Sequence, residues 1–306
     1  MKKIIVTAGQ EFADIDILAC AISYNELLTK EGKDSLIVLP GEFNKSITGD
    51  VKNWIKRPTK KLPPEDVSFV IVDISQPEHL AKFVVPEKII ELYDHHFGYE
   101  KVWQKLTKGR IVIEPVGACA TLIWEEYKKR GFEKEISQVS ARLIVTAIVS
   151  NTLNFKATVT DKRDLRAYDK LIGIAKLPYN WTEKYFEEQE ASVFKNPQKE
   201  IKNDTHVEKF PNSEEKLIIA QIELWDSRKF IDNYKEDIKK ALESFKTPLW
   251  FLTSPSISEG KNYIYCENER VKDMLRQKLN IVFKNNIGTT KNLILRKEIK
   301  RVIYNY

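Results

Sequence analysis

Hydrophobic positions in the first ninety residues fall in short continuous runs: Ile4-Ile5-Val6, Leu36-Ile37-Val38-Leu39, Phe69-Val70-Ile71-Val72 and Ile89-Ile90-Glu91-Leu92. Runs of this length suit strands buried on both faces. After the first run the spacing becomes helical, with Leu18, Ile22, Leu27 and Leu28 inside the stretch 17–30. This βαβ alternation predicts a parallel sheet. Helices are expected over about 118–129, 137–149 and 162–174. From 178 to 211 no period holds for long, which predicts a connecting region with some helix in it. Beyond it, 217–222, 249–252, 262–265 and 292–295 read as strands, with helices near 228–245 and 268–278. The fold class is therefore α/β, with an N-terminal parallel-sheet domain over 1–180, a linker over 181–200 and a smaller C-terminal α/β domain over 201–306. No internal repeat or low-complexity tract interrupts this plan.

Composition agrees with two cores: the chain has 306 residues, of which 42% are hydrophobic. A charged fraction of 31% spread along the chain speaks against a disordered or fibrous protein. The first apolar run is too short for a signal-peptide core, and none approaches the roughly 18 to 20 residues that cross a bilayer. No membrane association and a cytoplasmic location are expected. Cys20, Cys119 and Cys266 are widely spaced without a CxxC pair, so buried free thiols are expected rather than disulfides or a zinc site. The net charge of +6 suits a protein that handles a polyanion, and equally a lysine-rich composition with no such role.

Ligands of open parallel sheets bind beyond the carboxyl ends of the strands. Here the run Ile4-Ile5-Val6 leads to Asp14 and Asp16, the run 69–72 to Asp73, and the run 89–92 to Asp94-His95-His96. Each alone has an ordinary explanation: Asp16 as a helix cap, Asp73 as a strand end, the histidines on a surface turn. Oxygen and imidazole donors delivered together by three strands instead suit a site for Mn²⁺, Mg²⁺ or Co²⁺.

The segments Gly9-Gln10-Glu11-Phe12-Ala13-Asp14-Ile15-Asp16, Val72-Asp73, Asp94-His95-His96, 114–122 and 150–155 resemble, in order and spacing, the motifs of the DHH phosphoesterase superfamily. Gln10 and the stretch 117–122 look most like its exopolyphosphatase and prune branch, while 219–222 and 295–298 resemble the C-terminal domain of manganese-dependent pyrophosphatases. The resemblance implies a DHH metal-binding catalytic domain followed by a DHH-associated substrate-binding domain, with the active site in the cleft between them. It further implies two ions of Mn²⁺, Mg²⁺ or Co²⁺. Asp14 would serve one ion, Asp16 the other and Asp73 both, with His95 and Asn151 on the second and Gln10 on the first. Asp94 would orient the cluster, His96 would face substrate phosphate, and water would attack directly. Arg296 and Lys297 inherit the substrate-phosphate role, with His206 and Lys209 as candidates for a further basic contact. Gly117, before a helix start, would offer its N–H to phosphate or simply begin the helix. Lys156 would reach substrate or solvent, and His79 is expected on a surface turn.

The expected activity is hydrolysis of a phosphoric anhydride, pyrophosphate or short polyphosphate. Two positions depart from the pattern. Gln10 and Asn151 stand where a histidine and an aspartate are expected, and an amide oxygen brings no charge to a cation. Asn151 fits a working but weakened centre, a phosphate-ligand binder that has lost turnover, or a change that traps substrate. A nucleotide or short-oligonucleotide phosphodiesterase is the alternative activity, with Tyr99 and Trp103 as candidate base platforms. The glycine-rich domain of the exonuclease branch is not visible, so no long nucleic acid is expected.

Overall fold

Strand-forming apolar runs assemble the first sheet in the computed structural model, which describes residues 2–61 and 66–304. The chain divides into unit 1, Met1–Phe155 with Val159–Thr182, and unit 2, Lys156–Thr158 with Glu183–Tyr306. In unit 1 the elements run β1 (Lys3–Thr7), β2 (Phe12–Ala13), α1 (Ile15–Lys30), β3 (Ser35–Ile37), β4 (Glu42–Phe43), α2 (Gly49–Asn53), β5 (Val67–Val72) and β6 (Ile89–Asp94). They continue with α3 (Glu100–Leu106), β7 (Arg110–Ile113), α4 (Cys119–Lys129), α5 (Gln138–Asn151) and α6 (Lys162–Ala175). The main sheet has the order β3-β1-β5-β6-β7, all parallel.

After α1 the chain adds β3 on one side of β1, then returns to add β5 on the other. Crossovers that leave β1 in opposite directions open a crevice at the carboxyl ends of β1 and β5. One face of the sheet contributes Ile5, Phe69, Ile71 and Leu92 to an apolar cluster that Trp103 of α3 joins. Helices α1, α4, α5 and α6 pack on one another as a second layer. Strand β7 went unread in the sequence because Ile111, Val112 and Ile113 are only half buried at the sheet's edge.

The stretch expected to be a connecting region with some helix in it is mostly regular: α7 (Trp181–Lys195), α8 (Pro197–Asn203) and β8 (Thr205–Lys209) fill it. Asn196 and Pro197 at the start of α8 break the helical pattern that a periodicity reading needs. There follow β9 (Lys216–Gln221), α9 (Ser227–Glu243), β10 (Trp250–Ser256), β11 (Lys261–Tyr265), α10 (Glu269–Leu279), β12 (Phe283–Lys284), β13 (Ile287–Thr289) and α11 (Arg296–Tyr304). The unit 2 sheet runs β12-β13-β11-β10-β9-β8, parallel only between β9 and β10. Alternation sends Ile218, Ala220, Trp250 and Leu252 into one core and Leu217, Ile219, Leu249 and Phe251 into the other.

The strand expected over 292–295 is absent. Asn262, buried in β11, donates its amide to the carbonyl of Ile294 (2.7 Å) and accepts from the Ile294 N–H (2.9 Å). That side chain satisfies the backbone groups a neighbouring strand would otherwise have paired. Glu298 then accepts from the Leu295 N–H, and α11 begins, burying Ile299 and Ile303 one turn apart.

Candidate metal centre

Every acidic and imidazole group singled out at the strand ends lies in unit 1, at the carboxyl edge of β1, β5 and β6. Asp14 caps α1, accepting from the Ile17 N–H (2.9 Å), and burial pushes its carboxyl up from the usual range. Asp16, in the first turn of α1, is fully buried. Its Oδ2 accepts from the Cys119 N–H (2.7 Å) and its Oδ1 from the Ala120 N–H (2.8 Å), the first residues of α4. The positive end of α4 therefore receives a protein carboxylate. Burial raises Asp16 to about 6, with His95 opposing and Asp14 reinforcing the shift.

Asp73 follows β5 with φ 55°, a left-handed conformation rare outside glycine and tolerated by aspartate. It is 7% exposed, and its Oδ1 has no hydrogen-bond partner. Burial, then the neighbouring charges of Asp16 and Asp14, push its carboxyl well above the usual range. His95 Nε2 lies 3.4 Å from that oxygen and 4.0 Å from Asp16 Oδ2. The other ring nitrogen of His95, Nδ1, faces the Val116 carbonyl at 3.0 Å, which assigns the proton to Nδ1 and leaves a lone pair on Nε2.

Asp94 binds its own neighbours. Its Oδ1 accepts from the N–H groups of His95 (2.7 Å) and His96 (3.2 Å) and pairs with His96 Nδ1 (2.8 Å). Burial opposes its charge, but the His96 bond and charge outweigh that and hold Asp94 low, while the same bond holds His96 high. Its Oδ2 is buried and without a partner. Asp73, Asp94, His95 and His96 each offer a donor atom, and all these atoms lie within 4.8 Å of one another. Two buried carboxylate oxygens lacking donors, beside a histidine lone pair, fit a divalent cation.

Other candidates are differently engaged. Gln10 turns from the carboxylates, its Oε1 accepting from the Lys82 N–H at 3.2 Å. Asn151, at the end of α5, donates from Nδ2 to Asp16 Oδ2 at 2.6 Å. The Gly117 N–H is committed to Asp164 Oδ2 (2.7 Å), so it is not open to phosphate. A Cβ there would sit 2.5 Å from Thr152 Cγ2, so close packing is what calls for glycine. Trp103 is fully buried and donates to the Ser75 carbonyl, and the Tyr99 hydroxyl accepts from Gln76. Neither ring is an open base platform. His79 lies exposed in a short 3₁₀ turn, as expected. All three cysteines are buried and free, and burial pushes the Cys119 thiol up to about 11.

In unit 2, Arg296 opens α11, and its guanidinium pairs with Asp204 (2.7 Å). Lys297 is exposed. His206 is exposed on β8, its imidazole pushed down by partial burial and then by the charges of Arg296 and Lys300. Lys209 pairs with Glu214 (2.5 Å), and Lys156 donates to the carbonyls of Ile257 and Ser258. Asp164 was not singled out in the sequence. Its signal there is a helix-capping pattern with Asp161, which says nothing of the long-range bonds to Gly117 and Thr121.

No family model matches the chain. A Clostridium acetobutylicum protein named "probable manganese-dependent inorganic pyrophosphatase" is 27% identical over 311 residues, covering 97% of this chain and 96% of that one. A Bacillus licheniformis protein of the same name is 23% identical over 308 residues, with coverage of 97% and 96%. Among solved structures, a Methanococcus jannaschii protein described as a family II inorganic pyrophosphatase superposes with TM-score 0.65 at 22% identity, covering 99% of this chain and all of that one. An exopolyphosphatase-related protein from Bacteroides fragilis superposes with TM-score 0.51 at 12% identity, covering 98% and 90%. With the motifs Asp14-Ile15-Asp16, Asp73 and Asp94-His95-His96 gathered at one sheet edge, the chain is similar along almost its whole length to proteins named manganese-dependent inorganic pyrophosphatases and shares the fold of the family II pyrophosphatase structure.

Proposed function

We propose that this protein hydrolyses phosphoric anhydrides, pyrophosphate or the end of a short polyphosphate, with Mn²⁺ as its ion and water as the nucleophile. The observation that carries this reading is Asp73 Oδ1, buried without a partner and 3.4 Å from His95 Nε2. Asp73 and His95 would hold the ion, with Asp14, Asp16 and Asp94 around them. A divalent ion there supplies charge that activates a water and neutralises phosphoryl oxygens. The relatives' names support manganese and pyrophosphate.

The chain's own residues supply the proton and the grip. His96 has a half-exposed ring whose Nδ1 is anchored on Asp94, and that bond holds it protonated at higher pH than a free histidine. Its Nε2 is then able to hold a phosphate oxygen and to protonate the departing phosphate. In unit 2, Lys297 and His206 are exposed basic groups for substrate phosphate, while Arg296 is spoken for by Asp204. Three free buried thiols suit a reducing compartment, and the cytoplasm is the proposed location.

Phosphate release from pyrophosphate and tripolyphosphate, measured with Mn²⁺, Co²⁺ and Mg²⁺ after chelator treatment, tests the reading. It should require a divalent ion and fall by at least about a thousandfold in Asp73→Ala. Ion-loaded protein that releases no phosphate from either substrate would overturn it. Lys297→Ala should raise KM with little change in kcat.

A further inference from the structure

We infer that the amide of Asn151 occupies the place of a second cation at Asp16, so that this centre binds one divalent ion, at Asp73 and His95, instead of two. The inference rests on the metal-dependent reading above and deepens it.

A carboxylate oxygen offers about two lone-pair directions. At Asp16, Oδ2 already receives the Cys119 N–H (2.7 Å) and the Asn151 amide (2.6 Å), and Oδ1 receives the Ala120 N–H (2.8 Å) with the Cys20 thiol at 3.6 Å. Both oxygens of Asp16 are therefore engaged by donors. Gln10, the other amide near the centre, gives its oxygen to the Lys82 N–H. Asp73 contrasts with this: its Oδ1 receives nothing, although the residue is 7% exposed. The His95 nitrogen facing it is Nε2, since Nδ1 is directed at the Val116 carbonyl. An acceptor oxygen without a donor, 3.4 Å from an imidazole nitrogen in a buried site, is a place that a cation fits.

At Asn151 the requirement is reversed. With its NH₂ toward Asp16, the pair is satisfied as it stands. With its oxygen turned there, two oxygen lone pairs would meet at 2.6 Å, an arrangement only a cation would hold. The amide donor and a second ion are therefore alternatives at Asp16. An aspartate at position 151 has no N–H to donate and adds a negative charge, which turns the balance to the ion.

Equilibrium dialysis of chelator-stripped full-length protein against Mn²⁺, with metal analysis and low-temperature electron paramagnetic resonance, reads the number of ions directly. The wild type should retain one Mn²⁺ per chain with the six-line spectrum of an isolated ion. Asn151→Asp should retain two, with the broadened spectrum of an exchange-coupled pair. Two ions of similar affinity in the wild type, or one ion still in a folded Asn151→Asp protein, would overturn the inference. The wild-type count decides even if the variant fails to fold. A wild type that retains no Mn²⁺ would instead sink the metal-dependent reading itself.

Discussion

The Gly117 N–H donates to Asp164 Oδ2 at 2.7 Å, tying the loop before α4 to the first turn of α6 across 47 residues of sequence. Asp164 is fully buried and also accepts from the Thr121 hydroxyl (2.6 Å) and the Asp161 N–H (2.8 Å). Two residues on from Gly117, α4 begins to hold Asp16. Asp164 thus positions the helix end that positions the metal-side carboxylate.

Asp164→Ala should therefore cost about 3–5 kcal/mol of stability, because two buried donors and one partly buried donor lose a shared acceptor. Urea denaturation of the full chain measures it, and a loss under about 1 kcal/mol would show that the three donors find other acceptors. Gly117→Ala should destabilise through sterics, since its Cβ would meet Thr152 Cγ2 at 2.5 Å and Asp164 Oδ2 at 2.6 Å.

Asp94→Asn probes the orientation of the two histidines. The amide oxygen can still accept from the donors that Asp94 Oδ1 now gathers, but more weakly, and it brings no charge to hold His96 protonated. Mn²⁺ affinity should fall roughly 10- to 100-fold with the fold retained. The alkaline limb of the pH–rate profile, set by loss of the His96 proton, should move to lower pH. Unchanged affinity by calorimetric titration would show that Asp94 neither orients nor ligates.

These relationships were unevenly legible in the sequence. The apolar runs ending at Thr7, Val72 and Asp94 announced both the sheet and the edge where Asp14, Asp16, Asp73 and His95 gather, because strand ends and ligand sites coincide in open parallel sheets. What periodicity could not carry was where polar side chains spend their hydrogen bonds. Gly117 before a helix invites a phosphate, yet its N–H belongs to Asp164. Apolar residues at 293–295 suggest a strand, yet one amide, Asn262, satisfies Ile294 and leaves no ladder to form. Gln10 sits two residues from a strand pairing and spends its oxygen on Lys82. Each depends on a partner tens of residues away, which no local pattern encodes.

Lys176 closes α6 in the left-handed region, φ 47° and ψ 46°, with its N–H on the Ile172 carbonyl. Its side chain is exposed, so little packing is at stake. A β-carbon is unfavourable in this conformation and glycine relieves it. Lys176→Gly should stabilise the chain by about 0.5–1 kcal/mol, read as a higher urea midpoint at unchanged slope. A lower midpoint would mean that the added freedom of the unfolded chain outweighs the relief.

Glu190, on α7, is 7% exposed and receives the Trp225 N–H at the end of the loop leading to α9. Burial raises its carboxyl to about 7, against the opposing hydrogen bond from Asp226. A carboxyl raised on folding binds protons in the folded state that the unfolded chain has released. Its favourable contribution is therefore complete below the unfolded value of about 4.5 and is lost as pH rises through about 7. Glutamine keeps an oxygen for the Trp225 N–H and has nothing to ionise. Glu190→Gln should match the wild type near pH 4 to 5 and exceed it above pH 8, by at most about 3 kcal/mol. Denaturation midpoints across that range, taken in chelator so that ion binding in unit 1 stays out of the measurement, supply the test. Parallel pH profiles for the two proteins would show that folding does not raise the Glu190 carboxyl.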